Sequence, residues 1–127
     1  MDTETAAGGT DPVDTAAVLA GIGAFWSPRT VATVNDYDVR LVRVHGEFVE
    51  HRHPDTDEFF LVLDGELVIR MAAGDVPLRA GQLYVVPAGV PHQPYAEHPA
   101  SLLLFEPSDV VNTGDAGGPL TAPRVTA

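Results

Sequence analysis

The sequence predicts an all-β domain, a sandwich or barrel with one short helix near its N-terminus. Short β-branched and aliphatic runs follow one another from Arg29 to Phe105, divided by turn-forming pairs such as Asn35-Asp36, Asp64-Gly65 and Gly74-Asp75. Gly and Pro supply 12 and 11 of the 127 residues, and few runs favour helix. Several short strands at this spacing are the pattern of packed antiparallel sheets.

Three parts are expected: a disordered arm over residues 1–11, one domain over 12–112 and a flexible tail over 113–127. The arm holds small and acidic residues with no apolar period. Asp11 as N-cap, Pro12 in the first turn and Gly23 as terminator predict a helix through Val13 to Ile22. Trp26-Ser27-Pro28 punctuates the chain, with a buried Trp26 expected to pin the segment to the body. Strands follow around Val31 and Thr33, then Val39 to Val44. Glu58 to Leu63 is the next, and Asp64-Gly65 reads as a tight hairpin into Glu66 to Met71, with Gly74-Asp75 a second turn of that type. Leu83 to Val86 is closed by Pro87-Ala88-Gly89, and Ser101 to Phe105 is the last long strand.

Composition removes several chemistries. Cys is absent, which excludes disulfides, thiolate catalysis and zinc-finger patterns. All seven bases are Arg, so Schiff-base and P-loop lysine chemistry are excluded too. A formal charge of -11 repels a phosphate backbone, and no nucleic-acid partner is expected. No apolar run approaches the roughly 18 residues of a membrane span, and Met1 to Thr5 is acidic where a signal peptide is basic. The expectation is a cytoplasmic protein without a membrane partner.

The histidines carry the functional information. On a strand, His51 and His53 leave the same face. Glu58 opens the next strand after a Pro-Asp turn, within reach of that face. A Pro-Gly turn at Pro87 to Gly89 would bring His92 beside them. Three imidazoles and a carboxylate in an apolar interior would cost about 1–3 kcal/mol each if left without partners. One divalent cation satisfies all four. His45 and His98 lack ligand spacing and are expected to play no part, and Glu47 and Glu50 are expected on the surface.

These residues resemble the two motifs of the cupins. The first runs Gly, His-x-His, Glu, Gly, and is met from His51 through Gly65, with Gly46 one residue nearer His51 than usual. The second, Gly-x5-Pro-x-Gly-x2-His-x3-Asn, is met at Gly81, Pro87, Gly89 and His92, with Ala96 in place of the Asn. The resemblance covers about Val31 to Pro107 and is nearest to small single-domain bacterial members of the mannose-6-phosphate isomerase-like group. It implies a double-stranded β-helix, or jelly-roll barrel, and a homodimer. It also implies one divalent transition metal (Fe, Mn, Ni, Zn or Cu) on His51, His53, Glu58 and His92, with positions left open for a small-molecule substrate.

Open positions suit a dioxygenase, or a Lewis-acid isomerase, cyclase or lyase, acting on a small oxygen-bearing organic molecule. The alternative is a non-catalytic, metal-dependent module that binds a small ligand. With Glu58 pointing inward, Phe60 and Val62 follow by parity, and Val86 shares a face with Tyr84. Phe60, Val62 and Val86 are the expected pocket walls, and Tyr84 and Gln93 the candidate catalytic groups. A sugar phosphate needs cations, and only Arg is available. Arg52 points away from its flanking ligands, and Arg40, Arg43 and Arg70 are expected on the surface, so the isomerase label is marked down.

Overall fold

A computed structural model describes residues 11–127. The expected disordered arm, residues 1–11, lies outside the described residues apart from Asp11. Helix α1, Thr15–Ala20, is shorter than the sequence predicts. Its cap is Asp14 rather than Asp11, because the Asp14 carboxylate accepts from the backbone N–H groups of both Ala16 and Ala17. Gly21 ends it, two residues before the expected Gly23.

Seven antiparallel strands follow: β1 Arg29–Val34, β2 Tyr37–Glu47, β3 Glu58–Asp64, β4 Glu66–Arg70, β5 Val76–Arg79, β6 Leu83–Val86 and β7 Gln93–Pro107. Strand β7 is far longer than the expected Ser101 to Phe105. It pairs with β2 from Tyr37↔Pro107 to Glu47↔Tyr95, while its other edge is shared. Phe105 to Ser101 takes β3, and Tyr95 to Gln93 takes β4. The path β1-β2-β7-β3-β6, with the β4-β5 pair also joined to β7, gives the jelly-roll barrel.

Asp64-Gly65 is therefore a corner and not a hairpin. β3 and β4 do not pair with each other but continue along successive stretches of β7. Gly65 sits at φ 82, and a Cβ there would come within 2.9 Å of the Ala100 side chain. Gly74-Asp75 does lie in a hairpin, between β4 and β5, but the connection spans Met71 to Asp75, longer than a two-residue turn.

Alternation sorts the two faces. Val42, Phe60, Val62, Leu67, Ile69 and Leu102 fill the barrel. On the outer face, one row runs Val85–Phe59–Phe105–Val39 and the next holds Leu83–Leu61–Leu103. The segment after Pro107 returns to the sheet. Arg124 donates twice to Asp38, Thr126 forms a parallel bridge with Thr30, and the Ala127 N–H donates to the Thr30 carbonyl. Within the expected tail, 113–127, it is therefore the last residues that contact β1 and β2. Among the described residues, no helix is long and apolar enough to cross a membrane.

Candidate metal centre

His51 and His92 are set by an antiparallel bridge. Each backbone N–H donates to the other's carbonyl, at 3.0 and 2.8 Å, so both rings leave one side. Two residues on, the His53 carbonyl accepts from Gly89 N–H, which a φ of 81 at Gly89 turns toward it. The Asp57 carboxylate takes the neighbouring Ala88 N–H. The Pro-Gly turn of the second motif is in this way fastened to the loop between His53 and Glu58. Glu58 opens β3 pointing inward.

The four side chains are all buried, and one ligand atom from each lies within 4.8 Å of every other. Glu58 Oε1 is 2.8 Å from His92 Nε2, 2.9 Å from His53 Nε2 and 3.7 Å from His51 Nε2. His51 Nδ1 donates to the Val49 carbonyl and His92 Nδ1 to the Val90 carbonyl. In the neutral rings those bonds leave the Nε2 lone pairs facing the carboxylate. The buried Nε2 atoms of His51 and His53 have no hydrogen-bond partner; the His53 approach to Glu58 is close but misaligned. His92 Nε2 and Glu58 Oε1 share a hydrogen bond at 2.8 Å, and a cation among the four side chains would take that place while giving the two orphaned nitrogens a partner. The donor set of three nitrogens and one oxygen fits a divalent transition metal.

Burial works to raise the Glu58 carboxyl, but the imidazoles of His51, His53 and His92 outweigh it and hold the group well below the carboxylate range. Burial likewise opposes the charged form of His53, yet Glu58 beside it shifts that imidazole upward.

The surroundings differ from the expected pocket. Phe60 lines a cavity of about 30 Å³ beside His51 and Glu58, room for about one water, but Val62 and Val86 do not; both are packed into the core. Trp26 is on the wall instead. It pins its segment by donating from Nε1 to the His45 carbonyl, and it stacks on Phe48, whose ring meets His51 edge-on. Tyr84 packs beside the core, and Gln93 is held by Arg70 and by the Phe48 carbonyl. Neither is among the residues lining the small cavity beside His51 or the cleft on the His53 side. A wider cleft of about 320 Å³ opens on the His53 side, between Pro54 to Thr56 and the segment from Pro107 to Gly114.

Arg40 is not a surface residue. It is buried on the inner face with Asp38 and Glu106, donating to both carboxylates and to the carbonyls of Ser108 and Val110. The Arg124 guanidinium beside Asp38 does most to hold that carboxyl far below its usual range, against its burial. Glu106 is pushed up to about 7 by burial and by the charge of Glu58, more than Arg40 pulls it down. The signal for this group was present in parity, since Asp38 and Arg40 alternate in step with Val42 and Val44. Arg52 does point outward, onto Asp115 at 3.2 Å, and Arg70 pairs with exposed Glu47. His45 and His98 are both exposed.

A family model described as the cupin domain matches residues 39–106. Among curated proteins, the chain is 40% identical over 65 residues to the uncharacterized protein YdbB of Bacillus subtilis (strain 168), covering 50% of this chain and 58% of that one. It is 30% identical over 70 residues to 3-hydroxyanthranilate 3,4-dioxygenase of Xanthomonas euvesicatoria pv. vesicatoria (strain 85-10), covering 52% and 40%. The chain thus spans about half the length of the curated relatives it matches. Among solved structures, a cupin-2 domain protein from Shewanella frigidimarina superposes with a TM-score of 0.74 at 41% identity, covering 75% of this chain and 93% of that one. Hydroquinone 1,2-dioxygenase from Sphingomonas sp. TTNP3, with 4-hydroxybenzoate bound, superposes with a TM-score of 0.68 at 26% identity, covering 76% and 32%.

Proposed function

The chain belongs to the cupin domain family, and from that premise we propose that it is a metal-dependent dioxygenase acting on a small hydroxylated organic molecule. The observation that carries this reading is the convergence of His51, His53, Glu58 and His92 on one buried point, with two imidazole nitrogens left unpartnered. These four residues would hold one divalent metal, of undetermined identity among Fe, Mn, Ni, Zn and Cu. When bound, a redox-active ion of that set supplies the means to bring a coordinated hydroxyl and O2 to one centre. The dioxygenase names of the Xanthomonas and Sphingomonas relatives favour this over isomerase, cyclase or lyase chemistry.

The chain's own residues have definable tasks. The carbonyls of Val49 and Val90 fix two imidazoles in the tautomer that presents Nε2. Phe48, Phe60 and Trp26 keep bulk water from the His51 side. Glu58 stays ionised and so remains a competent ligand.

The test is the metal content of protein purified from its native host, followed by oxygen uptake with hydroquinone or catechol as probe. Iron, manganese, nickel or copper together with uptake supports the reading. Zinc alone, or an uptake rate no greater than that of the free ion, overturns it. One observation favours the non-catalytic module: beyond the cluster itself, the small cavity carries no acid–base side chain, only the amide of Asn112. Saturable binding of the probe without turnover by the iron-loaded chain would select that module.

We also propose a homodimer formed through the outer sheet face. Between two copies of a chain of charge -11, association is opposed least where the touching faces themselves carry no charge. The rows Val85–Phe59–Phe105–Val39 and Leu83–Leu61–Leu103 carry no charged side chain, and Leu83 is 55% exposed.

A further inference from the structure

The cleft on the His53 side has a composition that restricts what can enter it. Its volume of about 320 Å³ is at the low end for a small-molecule site, enough for a single substituted ring. One wall carries Asp55 and the other Asp109, both exposed, and buried His53 forms part of the lining, with its Nε2 turned to Glu58 at 2.9 Å. No arginine lines the cleft. Arg52 is turned out to Asp115, Arg70 to Glu47, and Arg40 and Arg124 are held by Asp38. Arg43 donates to the Ile22 carbonyl and lies over Phe25, Arg29 donates to Ser27, and Arg79 ends β5 outside the cleft lining. The chain has no lysine to replace them.

From these observations we infer that the cleft is the substrate's entrance, and that Asp55 and Asp109 select for an uncharged or amine-bearing hydroxylated ring and against carboxylates and phosphates. The inference rests on the reading of the four-residue cluster as a metal site. An anion approaching His53 passes two carboxylates before it reaches the bound ion, whose charge Glu58 already offsets in part. Both carboxylates repel an incoming negative charge, and solvent screens that repulsion because both are exposed. Together they give roughly a 10-fold or greater preference for a neutral over an anionic molecule of the same shape. The preference narrows as salt rises, which a purely steric preference would not do.

The experiment uses the full chain loaded with Zn(II), so that no turnover occurs, and isothermal titration with hydroquinone, tyramine and 4-hydroxybenzoate. The expected result is that hydroquinone and tyramine bind at least about 10-fold more tightly than 4-hydroxybenzoate at low salt. In the double variant Asp55→Asn/Asp109→Asn the ratio should fall to roughly 3-fold or less. Equal or tighter binding of 4-hydroxybenzoate, an unchanged ratio in the variant, or no binding of any probe overturns the inference. The stoichiometry of Zn(II) is read in the same titration series. A chain that takes up no Zn(II) removes the metal reading itself, whereas one equivalent of Zn(II) with an anion preference removes only the assignment of the cleft.

Discussion

His51 and His92 exchange both backbone hydrogen bonds across a single antiparallel bridge, although 41 positions separate them in the chain. The bridge fixes the relative orientation of the two rings before any ion arrives. Removing one ring should therefore remove binding without removing the fold. In His92→Ala or Glu58→Ala, added Zn(II) should no longer raise Tm. In the unaltered chain it should raise Tm by several degrees, as a ligand present at about 100 times its Kd adds about 2.7 kcal/mol. Full metal occupancy in both variants would sink the assignment.

Arg40 compensates two buried carboxylates, so its loss is not a surface change. Arg40→Met should cost about 3–5 kcal/mol in urea unfolding, because buried Asp38 would keep its charge with less compensation and Glu106 would lose a hydrogen-bond donor. Arg124→Ala removes a half-exposed partner of the same buried carboxylate but leaves Arg40 beside it, and should cost less, about 1–2 kcal/mol. Equal effects of the two substitutions would contradict the distinction.

Glu106 sets a pH dependence whose sign follows from its upward shift. Raised from 4.5 to about 7, it keeps its proton in the folded chain over a range where the unfolded chain has lost it. Its contribution is complete below about pH 4.5 and is lost as pH rises toward 7. The metal-free chain should lose stability across that window, and Glu106→Gln should flatten the loss. A profile identical in the variant would show that Glu106 is not the group responsible.

Gly114, at φ 54, lies so close to the ligand-bearing segment that a Cβ would overlap the Arg52 carbonyl oxygen and approach the His51 ring at 3.0 Å. Gly114→Ala should displace the 107–116 segment and weaken Zn(II) binding by about 10-fold or more, with Tm lowered by a few degrees. Unchanged affinity would mean that the segment does not constrain His51.

Leu83→Asp/Val85→Asp places two like charges on the outer face of β6. If that face pairs two copies, light scattering after gel filtration should give the monomer mass of 13.4 kDa for the variant and twice that for the unaltered chain. A monomer in both cases would discard the dimer.

The cluster was legible in sequence because it depends on local rules. Period-two alternation puts His51 and His53 on one face, and a Pro-Gly turn redirects the chain before His92. Strand existence was legible for the same reason. What the sequence hid depended on distant partners. Asp64-Gly65 has the composition of a hairpin, and only the length of β7, which serves β3 and β4 in turn, makes it a corner. Trp26 and Arg40 looked ordinary because Phe48, Glu106 and Val110, the groups that give them their roles, lie far along the chain. The contact of Arg124 with buried Asp38 was hidden for the same reason, 86 positions of chain lying between them.

The 15-residue strand Gln93–Pro107 also dictates when the molecule can come into being. It supplies the neighbour for β2, β3 and β4 alike, so most of the sheet consists of pairings between segments remote in sequence. Loop-closure entropy must be overcome before those pairings reward it, which places folding in the millisecond-to-second regime of β-rich domains. During synthesis, Tyr37 to Arg70 leaves the ribosome with its apolar rows uncovered and waits for the strand that completes them. That interval is when the chain is most exposed to aggregation.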